Sequence, residues 1–125
     1  MGTKIRITVG SVTVEGELFD SACAGAIAGK LPIRTRPNQW GDEFYFAIPV
    51  AMDLDETATT KVKVGDIGYW PPGNALAIFF GPTPLSKGAD PVPASEVNLV
   101  GIIREDARAL TKARGATGIT IERID

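Results

Sequence analysis

The stretch from Val64 to Pro84, VGDIGYWPPGNALAIFFGPTP, leaves this chain little choice of fold. Pro71 and Pro72 each fix φ and withhold a backbone donor, so no helix interior or central strand can run through them, and Pro71 holds Trp70 in an extended conformation. Gly73 supplies a backbone angle that most residues resist, so the Pro-Pro-Gly run reads as a tight, stiff turn. VGDIGYW before it is a short apolar strand, and ALAIFF after it is a very apolar one. The stretch is predicted to be a hairpin whose rigid turn sets Trp70 beside Phe79.

The flanking sequence adds further short strands. Ile5, Ile7 and Val9 alternate with Lys4, Arg6 and Thr8, and after Gly10-Ser11 the residues Val12, Val14 and Leu18 alternate with Thr13, Glu15 and Glu17, an amphipathic hairpin with one buried face. Asp20 or Ser21 can cap a helix over SACAGAIAGK, with Pro32 beyond its end and a thin apolar face of Ala22, Cys23, Ala26 and Ile27. From Ile33 to Gln39 the chain is extended and polar. In WGDEFYFAIPV, Phe44, Phe46 and Ile48 share a core face while Glu43, Tyr45 and Ala47 share the other, and Pro49 marks an edge, a bulge or the strand's end. MDLDETATT is a polar loop, Lys61 to Val64 resume a strand, and SKGADPVPAS is the longest connector. VNLVGII reads as a buried strand. It precedes a helix with Arg104, Arg108 and Lys112 on one side, Ala107, Leu110 and Ala113 on the other, and Gly115 at its end. Ile119 and Ile121 belong to a closing strand. Many short strands and two helical patterns fit an antiparallel barrel or sandwich with helices at its ends.

Composition narrows the chemistry. At 125 residues the chain is expected to form one domain over residues 1–125, and 44% apolar with 22% charged residues places it among globular proteins. It contains no histidine, which removes the usual near-neutral acid or base, the commonest zinc ligand and the middle member of serine or cysteine triads. Its single cysteine, Cys23, forms neither an internal disulfide nor a CxxC pair. No metal and no cofactor are therefore expected, and neither phosphate-loop nor dinucleotide-binding glycine spacing occurs. A net charge of −2 without charge blocks speaks against nucleic acid or anionic membrane as partner. The absence of a signal peptide or a long apolar run makes a cytoplasmic address the expectation.

Three segments in this order, WGDEFYF, VGDIGYWPPGNALAIFFGPTP and VNLVGII, resemble the small prokaryotic cyclophilin-like family and span about half of the chain. The resemblance implies a mainly β fold, a closed eight-stranded antiparallel barrel with two short helices, and a family named for its fold and not for a substrate. Asn74 to Phe80, NALAIFF, is similar to the NGSQFFI strand of the prolyl isomerases, placing Ala77 where they carry a pocket glutamine and Phe79 where they carry a pocket phenylalanine. EVNLVGII resembles their HVVFGKV strand. Their FHRxIxxFMxQGG motif has no counterpart; RTRPNQWGDEFYF offers Arg34 and Arg36 in another pattern, and SKGADPVPAS lacks their loop tryptophan and histidine. Prolyl isomerisation is accordingly expected to be weak or absent, with Arg36 the only candidate to polarise an amide.

The residues assign a ligand-binding groove lined from Arg36, Trp40, Glu43, Tyr45, Trp70, Pro72, Asn74, Ala77 and Phe79, with Trp40, Tyr45 and Phe79 bordering one cavity because each departs from the core face of its strand or lies beside a turn. Glu43 reads as a buried, hydrogen-bonded anchor in preference to a catalytic base. Asp53 and Asp55 read as a solvated loop in preference to a cation site, and Cys23 as an inert core thiol. The leading expectation is a binding module for a small apolar or proline-containing ligand. A weak prolyl isomerase and a non-catalytic scaffold acting with a protein partner are the alternatives.

Overall fold

A computed structural model describes residues 2–124. Its strands are β1 (Thr3–Val9), β2 (Val12–Leu18), β3 (Ile33–Thr35), β4 (Asn38–Gln39), β5 (Glu43–Ala47), β6 (Ala58–Thr59), β7 (Asp66–Trp70), β8 (Ala75–Phe79), β9 (Val97–Ile103) and β10 (Ile119–Arg123), with one α-helix, α1 (Ala22–Ala28), a 3-10 turn at Pro71–Gly73 and a 3-10 helix at Ala107–Ala113. The strands form a curled antiparallel sheet in the order β3-β10-β1-β2-β9-β7-β8-β5-β4, with β6 beside β9. This is a half-barrel, not the closed eight-stranded barrel that the family resemblance implied. The two ends of the order, β3 and β4, are joined through Arg36 and Pro37 instead of through a ladder, because Pro37 has no N–H to donate and the end strands hold only three and two residues.

Both expected hairpins form. β1 pairs with β2 from Thr3↔Leu18 to Val9↔Val12, turning at Gly10-Ser11, and β7 pairs with β8 from Ile67↔Ile78 to Trp70↔Ala75. At the second turn the Asn74 N–H donates to the Pro71 carbonyl at 3.0 Å. The left-handed residue there is Asn74, at φ 47°, and not Gly73. Gly73 is needed for a different reason, since a Cβ on it would lie 3.0 Å from Trp70 Cζ3, so the bare backbone lets the indole fold over the turn.

The main core gathers Ile5, Ile7, Val14 and Leu18 from the first hairpin, Phe44 and Phe46 from β5, Leu76 and Ile78 from β8, and Phe80 just beyond it. Phe44 and Phe80 stack at 4.7 Å between ring centroids, tilted by 31°. Ser21 caps α1 by accepting the Ala24 N–H at 3.1 Å, and the helix buries Cys23, Ala24, Ile27 and Ala28, a face turned from the expected one and leaving Ala22 exposed. Burial pushes the Cys23 thiol pKa up, although the Asn98 amide beside it opposes this. Asn98, wholly buried, also donates to the Asp53 carbonyl and accepts the Asp55 N–H, fastening the 51–57 loop to β9.

The second helix is 3-10, not α. Ala107, Leu110 and Ala113 recur every three residues, the period at which 3-10 side chains eclipse, and all three are buried. Arg104 lies before the helix and pairs with Glu17 at 3.2 Å, while Arg108 and Lys112 are exposed. Lys61 to Val64 form no strand. The Asp66 carboxylate accepts the Lys63 N–H at 2.8 Å and the Asp66 N–H donates to the Lys63 carbonyl at 3.0 Å, which closes a turn into β7.

Candidate functional site

β8 is buried along its whole length, unlike β1 and β2. Alternation sends Leu76 and Ile78 into the main core, whereas Ala77 and Phe79 face outward into a second apolar cluster with Val62 and Val97, against which Tyr45, Trp70 and Leu99 pack. Something must cover that outer face, and the segment before β9 does so. Pro91 and Pro93 are buried, and the Trp70 indole N–H donates to Ser95 Oγ at 2.7 Å, tying this segment to the end of β7. Upstream, Thr83 fastens the same connector: its hydroxyl donates to the Val92 carbonyl and accepts the Val92 N–H.

The cover leaves a cavity of about 220 Å³, lined by Trp40, Glu43, Tyr45, Trp70, Phe79, Pro93, Ala94 and Val97. Trp40 reaches it because the β4–β5 connection is tight: the Trp40 N–H donates to the Glu43 carbonyl at 3.0 Å across Gly41, at φ 61°. A Cβ at Gly41 would lie 2.8 Å from Thr83 Cα and Pro84 Cδ, so this turn accepts no larger residue without moving the connector. Asp42 beside it forms a salt bridge with Arg114.

Glu43 opens β5 opposite Phe79 and is only 7% exposed. It is buried as expected, but it is not the hydrogen-bonded anchor that the sequence suggested, because Oε1 has no hydrogen-bond partner among the described residues. Burial without a compensating partner raises the carboxyl pKa from 4.5 to about 7.

Five of the nine residues assigned to a groove thus meet around one cavity: Trp40, Glu43, Tyr45, Trp70 and Phe79. Ala77 lies buried in the cluster beneath it. Pro72 and Asn74 sit in the exposed turn, where Asn74 serves the fold: its carbonyl accepts the Ile48 N–H at 2.9 Å. Arg36 is elsewhere, at a second concavity of about 240 Å³ lined also by Pro37, Gln39, Phe44, Gly115, Ala116 and Thr117. No arginine or lysine lines the aromatic cavity, so the donor that an isomerase would aim at an amide is not brought to it. Pro93, Ala94 and Val97 were not foreseen; the signal was the apolar run Pro91-Val92-Pro93 inside an otherwise polar connector. Among the described residues no group of three or more Cys, Asp or Glu could hold a metal ion, and no helix is long and apolar enough to cross a membrane.

The curled antiparallel sheet defines the fold class, and the sequence comparison names the family: the chain belongs to the cyclophilin-like family, whose model matches residues 3–122. The solution structure of the hypothetical protein AF2241 from Archaeoglobus fulgidus is 36% identical, with a TM-score of 0.81 over 98% of this chain and 95% of that one. The structure of McbB in complex with tryptophan is 18% identical and shares the fold at a TM-score of 0.69, covering 95% of this chain and 44% of McbB. No curated protein matches the chain.

Proposed function

We propose that this protein is a cyclophilin-like binding module whose aromatic cavity takes a small apolar or proline-containing ligand, with little or no catalysis of its own. The carrying observation is the convergence of Trp40, Tyr45, Trp70 and Phe79, from a turn and three strands, on one cavity of about 220 Å³. Ligand sites are typically concave, apolar and furnished with few polar groups. The lack of an arginine or lysine in the wall favours binding over isomerisation, and the lack of histidine in the chain favours it over most hydrolytic chemistry. A cytoplasmic address fits the single buried cysteine. The scaffold alternative has less to recommend it, since Leu54 and Leu85 are the only large hydrophobic side chains exposed among the described residues.

Titration with small neutral aromatics and with proline-containing dipeptide amides, followed by tryptophan emission, tests this reading. Trp40 and Trp70 are the chain's only tryptophans and both line the cavity, so occupancy is expected to give a saturable change. Ala94 is an exposed lining residue, and Ala94→Phe is expected to fill the cavity and abolish the response without disturbing the fold. A response that survives Ala94→Phe, or no saturable response to any of these probes, overturns the assignment.

A further inference from the structure

Glu43 is the only charged residue in the wall of an otherwise apolar cavity, and it is more than nine-tenths buried with Oε1 unpartnered. Buried polar atoms are nearly always satisfied, so an exception at the edge of a cavity points to what the cavity takes. A leucine or glutamine would occupy the same position of β5 without the desolvation that a carboxylate suffers there. The walls beside it are aromatic, and aromatic faces attract cations most strongly where water is excluded. Apolar contact alone is weak at this size: a ring-sized ligand burying about 150 Å² gains only a fraction of what association costs. A polar point of attachment strengthens binding, and Glu43 is the charged one that the wall provides.

We propose that the cavity recognises a small molecule joining a ring-sized apolar body to a protonated amine, with Glu43 as the acceptor for the ammonium group. The inference rests on the reading of the cavity as a ligand site and names the chemistry of that ligand. No bond is made or broken.

The carboxyl's surroundings give the proposal a second signature. Phe79 faces Glu43 from β8, Trp40 approaches from the turn before β5, Trp70 lines the wall from β7, and Pro93, Ala94 and Val97 complete it. Tyr45 is the other ionisable lining residue, and the neighbouring Asp42 is engaged by Arg114. With no resident cation in the wall, an arriving ammonium is the group that stabilises the ionised form of Glu43. Below the folded-state pKa of about 7, its binding releases a proton; well above, it releases none.

The probes are benzylammonium and the uncharged benzyl alcohol, each titrated into the parent protein and Glu43→Gln. At about pH 8 the parent is expected to bind benzylammonium at least about tenfold more tightly than benzyl alcohol, a preference that Glu43→Gln reduces to parity. Calorimetry of the parent in buffers of differing ionisation enthalpy is expected to show close to one proton released on benzylammonium binding near pH 6, and none with the alcohol. Equal binding of both probes to the parent overturns the inference and leaves the apolar site standing. A preference that survives Glu43→Gln, or amine binding near pH 6 without proton release, also overturns it. Binding of the amine alone keeps the inference and removes the apolar-ligand reading, and binding of neither probe removes both.

Discussion

The β1–β2 hairpin and the β7–β8 hairpin share their pairing pattern and differ in what lies over their outer faces. In the first, Ile5, Ile7 and Val9 point into the core while Lys4, Arg6 and Thr8 meet water or lie half-buried. In the second, both faces of β8 are dry: one packs into the main core and the other lies under Tyr45, Trp70 and Val97. A strand dry on both sides needs a cover, and here the cover is a connector pinned by a few side-chain hydrogen bonds instead of a second sheet. Such a cover packs less completely than a core, which is why the cavity forms over β8 and not over β1.

The largest test of this contrast lies within two adjacent residues. Phe80 fills the main core against Phe44, and Phe80→Ala is expected to cost about 3–5 kcal/mol. Phe79 is equally buried but borders a cavity that already exists, so its truncation enlarges a space that water can enter and is expected to cost about 2–3 kcal/mol. Denaturant unfolding of the two variants measures both. Equal losses would mean that the outer cluster is as closely packed as the core, and the contrast would fail.

The next test is electrostatic. The folded protein holds Glu43 protonated up to about pH 7, whereas the unfolded chain releases that proton near 4.5. Between those values the native state binds more protons than the unfolded state, so this group's contribution to stability falls as pH rises through the window, by about 3 kcal/mol in all, and stays lost above it. Glu43→Gln removes the titration. Its stability relative to the parent is expected to rise by about 2–3 kcal/mol between about pH 4 and pH 8, as read from paired unfolding curves. A difference that does not vary with pH would place Glu43 in a wet environment and the cavity wall with it.

The smallest expected effect concerns the cover. Ser95→Ala deletes the acceptor of the Trp70 indole N–H and is expected to cost about 0.5–1.5 kcal/mol, with a shift of tryptophan emission toward that of a wetter indole. Unchanged emission would show that Trp70 is held by packing over Gly73 and not by the connector.

These contrasts explain how much the sequence disclosed. Strands whose faces differ in polarity are legible by alternation, and the β1–β2 pairing and the core face of β5 follow from it. The turn at Pro71 and Pro72 was legible because proline permits so few conformations, although the left-handed residue proved to be Asn74. The α1 face was misplaced because alanines and glycines, apolar or neutral all round, give no sharp stripe. At the site, Trp40, Tyr45, Trp70 and Phe79 stood out as aromatic residues on the wrong face for the core. The pinning of the 81–96 connector, the location of Arg36 and the missing partner of Glu43 depend on contacts between residues far apart in the chain, which no local pattern records.

The junction of β3 and β4 through Arg36 and Pro37 also bears on how copies of this protein treat one another. A half-barrel, unlike a closed barrel, presents two strand margins whose free N–H and C=O groups invite pairing with another molecule, the route by which open sheets aggregate. Here one margin is three residues long and the other two, Pro37 lies between them, and exposed Arg34 and Arg36 bring like charge to the seam. The interruption that keeps the barrel from closing on itself thus also leaves each margin only a short ladder to offer a neighbour.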